Sequence, residues 1–169
     1  VGIGGCVTQL HGDAIVPRAR AADLIVGTHS LARVPELLGR VRNGEGQQID
    51  LDRRADAFAI PATMVAHSHP VRAYVTVMEG CNHVCSFCVV PRTRGPEVNR
   101  APGEVVAEVE SLVERGYPEV MLLGQTVNAY RHGDTDFVGL LRQVSAVDGL
   151  QRLRFTTSHP SHMTDAVAR

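Results

Sequence analysis

The chain has 169 residues, of which 44% are hydrophobic and 21% are charged, and its formal net charge is −1. This balance is typical of a folded globular protein and excludes a disordered or collagen-like chain. The near-neutral charge argues against a strongly basic nucleic-acid-binding surface, although the 17 basic residues, all arginine, could still line a basic cleft. No apolar run is long enough to span a bilayer, so we expect no membrane association. The chain starts at Val1 and ends inside a predicted helix, so we expect it to be a piece of a longer protein.

Residues 1–41 show the pattern of an α/β unit, in which short apolar strands alternate with helices. Strands are predicted at residues 1–3 and 24–27, with a tight turn at residues 4–6 after the first strand. Ser30 is the predicted N-cap of the second helix. The two predicted helices have apolar faces made of Ile15, Val16, Ala19 and Ala22 in the first, and Leu31, Val34, Leu37, Leu38 and Val41 in the second.

Residues 42–70 differ from their neighbours, because they combine turn residues, a charged run and prolines without sustained periodicity. We predict that this segment is an interdomain linker. Residues 71–169 then alternate strand and helix three times. The strands are predicted at residues 73–78, 119–123 and 153–157, with a loop at 124–135.

Three predicted helices follow these three strands. The first starts at Pro102, which suits the first position of a helix, and Gly116 ends it. The second has its apolar face within residues 137–147, and the third begins at Thr164. This order predicts an α/β fold with a parallel sheet, either half of an α/β barrel or part of a doubly wound sheet. The apolar run in the second strand is typical of a sheet that is covered on both faces.

Three of the four cysteines, Cys81, Cys85 and Cys88, follow the first strand of this region with the spacing C-x3-C-x2-C. An iron–sulfur cube normally has four cysteine ligands, so three thiolates would leave one iron open to a small molecule. Two other interpretations are open at this point: Cys85 and Cys88 could form a redox pair, or the three cysteines and His83 could bind zinc. Cys6 stands alone, and by itself is most simply a buried, inert thiol.

We call the segment that carries Cys81, Cys85 and Cys88 the cysteine loop. It follows a first barrel strand, and Phe87 lies directly before its third cysteine. This arrangement resembles that of the radical S-adenosylmethionine (SAM) superfamily. The resemblance implies that Cys81, Cys85 and Cys88 hold a [4Fe–4S] cluster whose open iron is chelated by SAM. It also implies that an electron from the cluster cleaves SAM to a 5′-deoxyadenosyl radical, and that Phe87 lies near the SAM adenine. In such proteins the cofactor carries the difficult chemistry, and the protein positions and shields it.

More of the chain resembles one branch of this superfamily, the methylthiotransferases. Residues 5–9 (GCVTQ) are similar to the end of the first domain of these enzymes. This similarity implies that Cys6 is the last of three ligands to a second, auxiliary [4Fe–4S] cluster in the full-length protein. Three further segments resemble the methylthiotransferases that act on tRNA bearing isopentenyl adenosine: residues 89–95 (VVPRTRG), 122–130 (LLGQTVNAY) and 154–160 (RFTTSHP). Thr126 and Asn99 depart from that pattern, which usually has Asn and Ser at these positions.

The resemblance also implies a domain organisation. Residues 1–41 would be the C-terminal part of a small α/β N-terminal domain, residues 42–70 a linker, and residues 71–169 the first half of a radical SAM (β/α)6 partial barrel. In α/β barrels the chemistry lies at the C-terminal ends of the strands, so the loops after the three strands meet at one mouth. Four polar side chains there are expected to bind SAM or the substrate base: Gln125, Asn128, Thr157 and Ser158. The alternative for each is hydrogen bonding to the backbone of its own loop.

The implied function is methylthiolation of N6-isopentenyl (dimethylallyl) adenosine next to the anticodon of tRNA, where an unpaired base can enter the barrel mouth. The expected partners are the tRNA anticodon loop and an electron donor such as flavodoxin or ferredoxin, and the expected location is the cytoplasm. The family also carries a C-terminal RNA-binding domain, so we expect this piece to be incomplete for activity. Two alternatives stay open: methylthiolation of a ribosomal-protein aspartate, and a non-enzymatic iron–sulfur or zinc-binding module.

Overall fold

The computed structural model of the chain describes residues 1–53, 65–66 and 69–168. The chain divides into two compact units. The first comprises Val1–Ile60 and His83–Gly95, and the second comprises Pro61–Asn82 and Pro96–Arg169. The centre of the predicted linker, residues 54–64 and 67–68, lies outside the described residues.

The first unit contains a parallel three-stranded sheet in the order β1-β2-β3, formed by Gly2–Gly4, Leu24–Val26 and Gln48–Asp50. Helix α1 (Cys6–His11) follows β1, and helix α2 (Val34–Arg42) connects β2 to β3. All three residues of β2 are buried, and Leu37 of α2 packs in one cluster with Leu24 and Val26. The predicted α/β pattern is therefore confirmed in this unit.

Three details of the first unit differ from the predictions. The predicted first helix forms a short 3-10 helix (Gly12–Arg18), which contains Pro17, a residue without an N–H to donate. Ser30 precedes a 3-10 turn (Leu31–Arg33) and not α2, whose N-cap is Arg33, and the Ser30 side chain makes no capping hydrogen bond. Strand β3 lies within the segment predicted to be a linker, so regular structure continues to Asp50.

Part of the cysteine loop also belongs to the first unit. Its short helix α3 (Val90–Thr93) packs against α1. The hydroxyl of Thr28 donates a 2.7 Å hydrogen bond to the carbonyl of Thr93, and the guanidinium of Arg53 donates one to the carbonyl of Arg92. The Thr93 side chain is also fully buried. The hydrogen bonds and this burial together hold the end of the cysteine loop within the first unit.

The second unit contains seven strands and three helices among the described residues. In chain order they are β4 (Arg72–Thr76), β5 (Met78–Glu79), β6 (Val98–Asn99), α4 (Pro102–Glu114), β7 (Glu119–Leu123), β8 (Arg131–His132), β9 (Thr135–Asp136), α5 (Phe137–Ser145), β10 (Arg152–Phe155) and α6 (Asp165–Ala168). Strands β4, β7 and β10 form a parallel sheet in the order β10-β7-β4. Strands β5 and β6 form an antiparallel pair, as do β8 and β9. The predicted alternation of strands and helices around a parallel sheet is confirmed.

The core of the second unit consists of alternate strand residues and the predicted apolar faces of α4 and α5. The fully or almost fully buried side chains include Val75, Val120, Leu122, Val105, Val109, Leu112, Phe137, Leu140 and Val144. Full burial of one such aliphatic side chain contributes roughly 1.5–3 kcal/mol. A slip of one residue in any strand would move these side chains to the other face, so the core determines the register of the sheet.

The opposite face of this sheet carries a group of ion pairs and not the apolar cover that the sequence of β7 predicts. Residues of β7 alternate between the two faces, and Met121 is only half-buried. Glu119 pairs with Arg72 at 2.5 Å, with Arg154 at 2.9 Å and with Arg152 at 3.3 Å. Burial raises the pKa of Glu119, but the Arg72 hydrogen bond and the three guanidinium charges outweigh it and hold that pKa below its ordinary value.

Two further predictions for the second unit need correction. The loop predicted at residues 124–135 contains a 3-10 turn (Val127–Ala129) and the β8–β9 hairpin. The third strand ends at Phe155, two residues early, because Thr157 has a left-handed φ of 65° that does not continue a strand. Over the described part of the chain, no helix combines the length and the apolar character needed to cross a membrane.

Candidate functional site at the strand ends

The carboxyl ends of β4, β7 and β10 lie side by side, because the three strands are parallel and adjacent. Each strand leads to a segment that contains at least one residue of the predicted site: residues 80–82, 124–128 and 156–159. We call these segments the strand-end loops. The loop of residues 124–128 lies in the middle and forms hydrogen bonds to both of the others.

On one side, the middle loop holds the segment that carries the first cysteine. The backbone N–H of Gly80 donates a 2.7 Å hydrogen bond to Oε1 of Gln125. The next residue of each loop is also in contact, because Sγ of Cys81 and Oγ1 of Thr126 are 3.1 Å apart. Cys81 is 7% exposed and Thr126 is 3% exposed, so this contact is shielded from water.

On the other side, the middle loop holds the segment after β10. Nδ2 of Asn128 donates to the carbonyl of His159 at 2.9 Å, and Oδ1 of Asn128 accepts from the His159 N–H at 2.8 Å. The Thr157 carbonyl accepts a 3.0 Å bond from the N–H of Val127, and the Thr157 hydroxyl donates a 2.5 Å bond to the carbonyl of Gly124. These bonds hold Thr157 in a conformation that residues other than glycine rarely adopt.

Buried packing holds the middle loop close to the rest of the unit. A Cβ atom at Gly124 would lie 2.4 Å from Cγ of Met78, so a glycine is required for this close approach. Tyr130 is 1% exposed, and its hydroxyl donates a 2.6 Å hydrogen bond to the carbonyl of Arg100. Burial raises the pKa of Tyr130 to about 12, so the hydroxyl stays protonated and remains a donor at neutral pH.

Asn82 and Glu97 join the two ends of the cysteine loop at its base. The N–H and the side-chain amide of Asn82 donate to the two carboxylate oxygens of Glu97, each at 3.2 Å. The N–H of Glu97 donates in return to Oδ1 of Asn82 at 3.1 Å. The sequence does not predict this pair, because no local pattern links two residues fifteen positions apart. The sequence also predicts no role for Thr126, although its place between Gln125 and Asn128 is a usable signal.

None of the four cysteines, all of them among the described residues, is in a disulfide, and their environments differ. Cys81 is buried and belongs to the second unit, whereas Cys85 and Cys88 are half-buried and belong to the first. Cys6 is the exposed first residue of α1, so its interpretation as a buried thiol is wrong. Within residues 1–53, 65–66 and 69–168, no group of three or more His, Cys, Asp or Glu side chains is arranged to hold a metal ion.

The four polar residues expected to bind SAM or the substrate base all lie in the strand-end loops. The side chains of Gln125, Asn128 and Thr157 form hydrogen bonds to the backbone of neighbouring loops. Ser158 is exposed. Phe87, predicted to lie near the SAM adenine, belongs to the first unit and is 92% exposed. The predicted binding roles of these five residues stay predictions.

Arg100 lies close to the cysteine loop in the sequence, but it has a structural role. Its side chain is 14% exposed, and Nη1 donates to the carbonyl of Thr76 at 2.9 Å and to Oε2 of Glu108 at 2.5 Å. The guanidinium therefore joins β4 to α4. An anionic ligand would have to compete with the Glu108 carboxylate for this cation.

Comparison with known proteins identifies the family. The profile of the radical SAM superfamily matches residues 75–169, a range that includes all three cysteines of the loop and the three strand-end loops. The chain belongs to the radical SAM superfamily. Radical SAM proteins use a [4Fe–4S] cluster and SAM as cofactors, as the sequence analysis expected.

Several curated relatives of this radical SAM chain are named tRNA-2-methylthio-N(6)-dimethylallyladenosine synthase. The chain is 44% identical to the protein of Stutzerimonas stutzeri (strain A1501) over 171 residues, which are 99% of this chain and 38% of the relative. It is also 44% identical to the proteins of Shewanella oneidensis and Pasteurella multocida over 176 residues, 99% of this chain and 36% of each relative. The chain thus spans 36% to 38% of the length of these relatives.

The donor set of the cysteine loop fits the radical SAM cofactor. Cys81, Cys85 and Cys88 are not in disulfides, and cysteine thiolates are the usual ligands of [4Fe–4S] clusters. Asn99 lies opposite Met78 in the β5–β6 pair that leads into the loop. Its Oδ1 atom is buried without a hydrogen-bond partner among the described residues. The surroundings of the loop therefore also retain a hydrogen-bond acceptor for a bound group.

Proposed function

We propose that the protein containing this chain methylthiolates N6-isopentenyl (dimethylallyl) adenosine next to the anticodon of tRNA by radical SAM chemistry. The observation that carries this proposal is the 44% identity, over 99% of the chain, to relatives named as synthases of that modified nucleoside. Because the chain spans 36% to 38% of those relatives, the proposal concerns the intact protein. The superfamily supports the type of reaction, and the relatives support the substrate.

The proposal assigns the cysteines to two sites. Cys81, Cys85 and Cys88 hold the [4Fe–4S] cluster that binds SAM, and Cys6 is one ligand of a second cluster. When bound, the first cluster supplies the electron that cleaves SAM, which makes an unactivated C–H bond of the base reactive. The absence of a disulfide at all four described cysteines supports this assignment, because a disulfide would remove the thiolates that bind iron.

The predicted binding residues retain defined hydrogen-bonding groups. The contacts with His159 use one donor and one acceptor of the Asn128 amide, so one of each stays available. The backbone contact of Gln125 uses Oε1, which leaves the Nε2 donors for a carboxylate or ribose. The Thr157 hydroxyl donates to the backbone and can therefore accept from a ligand, whereas the exposed Ser158 hydroxyl can do either.

The substrate and the partners follow from the same chemistry. A base next to the anticodon is single-stranded, so it can unstack and enter a site at the strand ends. The ring of Phe87 is 92% exposed and is available to stack on an adenine. The net charge of −1 indicates that this chain is not the main phosphate-binding surface for tRNA. We also propose an electron donor of the flavodoxin or ferredoxin class and a cytoplasmic location, which suits free cysteines.

Anaerobic reconstitution of the intact protein with iron and sulfide tests the proposal. After addition of dithionite and SAM, we expect 5′-deoxyadenosine, and with isopentenylated tRNA we expect the 2-methylthio nucleoside by mass spectrometry. Cys88→Ala abolishes both products, whereas Ser86→Ala, an exposed neighbour in the same loop, serves as the matched control. Cys6→Ala lowers the iron content by one cluster and retains SAM cleavage, but abolishes methylthiolation.

Three results would contradict parts of the proposal. Absence of SAM cleavage in the iron-loaded intact protein favours the non-enzymatic module. SAM cleavage with modification of a ribosomal-protein aspartate, and not of tRNA, would assign the protein to the alternative substrate. Equal iron content in the native protein and in Cys6→Ala would remove the auxiliary-cluster role of that residue.

A further inference from the structure

The contact between Thr126 and Cys81 has a chemical consequence for the proposed cluster. Oγ1 of Thr126 lies 3.1 Å from Sγ of Cys81, and both residues belong to the second unit. The exposed fractions are 3% for Thr126 and 7% for Cys81, so bulk water does not compete for this contact. A hydrogen bond in such surroundings is electrostatically stronger than one at the surface.

The position of the Thr126 hydroxyl is well defined. Thr126 precedes the 3-10 turn Val127–Ala129, where a threonine side chain commonly caps the free N–H groups. Here the side chain makes no capping hydrogen bond, and its oxygen faces the sulfur. The carbonyl of Thr126 accepts a 2.8 Å bond from the N–H of Ala129, and the preceding Gln125 binds the N–H of Gly80. Two consecutive residues therefore hold two consecutive residues of the cysteine loop.

Ligation to iron would determine the direction of this hydrogen bond. A cysteine that ligates iron has lost its proton, so its sulfur can only accept, and the threonine hydroxyl must donate. Hydrogen bonds to the sulfur ligands are one of the factors that set the reduction potential of an iron–sulfur cluster. Reduction adds negative charge to the cluster and its sulfurs. A donor at the sulfur therefore stabilises the reduced state more than the oxidised state and raises the potential.

We propose that Thr126 is a positioning residue that donates a hydrogen bond to the sulfur of Cys81 and raises the reduction potential of the cluster that Cys81 helps to hold. This inference rests on the proposed function, because it requires Cys81 to be a cluster ligand. It adds a residue that the sequence analysis did not assign to the site. It also gives the middle strand-end loop a role in tuning the cluster besides its predicted role in binding SAM.

The test is the midpoint potential of the cluster in Thr126 variants of the intact protein. All proteins also carry Cys6→Ala, so that the proposed auxiliary cluster does not contribute to the signal. Dithionite supplies the single electron, and electron paramagnetic resonance measures the reduced fraction at each potential. Thr126→Val replaces the hydroxyl with a methyl group of similar size, and Thr126→Ser restores a hydroxyl.

We expect Thr126→Val to lower the equilibrium constant for reduction by about tenfold, which is about 59 mV for a one-electron couple. Thr126→Ser retains a potential close to that of the parent. Thr126→Ala also lacks a hydroxyl, and we expect it to show the same downward shift. It replaces the valine variant if that variant does not fold. Iron content and the thermal midpoint of each protein show that the comparison is between folded, fully loaded proteins.

The outcomes separate this inference from the proposed function. An unchanged potential in a folded, loaded Thr126→Val or Thr126→Ala variant overturns the inference, while the cluster assignment stands. A Cys81→Ala variant that keeps the full iron content and the parent spectrum overturns the assignment of Cys81, and the inference with it. A downward shift that serine does not restore also overturns the inference, because it shows that packing and not the hydroxyl sets the potential.

Discussion

Asn128→Asp tests whether the Asn128 side chain joins the strand-end loops. The new carboxylate keeps an acceptor for the N–H of His159, which lies 2.8 Å from Oδ1 in the native chain. It places a second oxygen where the amide now donates to the His159 carbonyl at 2.9 Å. Because Asn128 is 5% exposed, water cannot readily replace the lost donor.

The magnitude follows from that geometry. Loss of one net hydrogen bond costs about 1 kcal/mol. The His159 carbonyl keeps the N–H of His162 as a donor at 3.1 Å. The buried oxygen that replaces Nδ2 faces this carbonyl and not a donor, which costs about 1–3 kcal/mol more, so we expect a total loss of about 2–4 kcal/mol near neutral pH. At about 2–4 °C per kcal/mol for a protein of 150–250 residues, the midpoint of thermal unfolding falls by about 4–16 °C.

The loss depends on pH in a defined direction. When the introduced carboxyl is protonated, it can donate to the His159 carbonyl as the amide did. Its pKa in the folded state is therefore raised above the unfolded value of about 3.9. The variant thus regains stability relative to the native chain at low pH, and loses it again as pH rises through the folded-state pKa.

Urea unfolding of the anaerobic apoprotein, followed by circular dichroism at pH 5 and pH 7.5, measures this difference. Gln151→Glu adds the same charge at an exposed position of the second unit and is the matched control. Equal stability of the two variants at pH 7.5 would refute the reasoning. A loss in Asn128→Asp that is the same at both pH values would show that the donor to His159 is not its cause.

Three other substitutions test the packing and the charges of the second unit by urea unfolding. Gly124→Ala places a Cβ 2.4 Å from Cγ of Met78 and should cost about 1–3 kcal/mol, with a smaller cost in a Met78→Ala background. Tyr130→Phe removes the bond to the Arg100 carbonyl and should cost about 1–2 kcal/mol at pH 8. The difference from the native chain should shrink above pH 10, because the pKa of Tyr130 is raised to about 12 in the folded state. Glu119→Gln should destabilise the chain above pH 4.5. The difference in stability from the native chain should disappear as pH falls through the lowered pKa of Glu119. A difference in stability that does not change with pH would contradict the ion-pair assignment.

The elements that the sequence predicts well are those determined by local patterns. Strand β7 has the predicted bounds, 119–123, because four apolar residues follow Glu119 and the segment lies between two turns. Helix α4 begins at Pro102 as predicted, and Gly116 follows its C-cap with a φ of 92°. Each end of α4 depends on the backbone of one residue, the proline at its start and the glycine after its C-cap, and both residues can be read from the sequence.

The elements that the sequence misses depend on distant partners or on a local conflict. Strand β3 has no strong apolar run, and it is a strand because its backbone pairs with β2 more than twenty residues earlier in the chain. The segment Gly12–Arg18 has a helical apolar face but forms a 3-10 helix, in which Pro17 has no N–H to donate. Periodicity alone does not reveal either effect.

The superfamily, the cysteine spacing and the order of the strands along the chain can be read from the sequence, because each depends on residue types at short separations. Which side chains meet depends on the folded structure. Cys81 contacts Thr126, 45 residues away, and Asn128 binds His159, 31 residues away. These pairs form because the core sets the register of three parallel strands and so brings their carboxyl ends to one edge. A shift of the register by one residue would separate the partners of a hydrogen bond between loops. The sequence of either loop alone therefore does not predict such a bond.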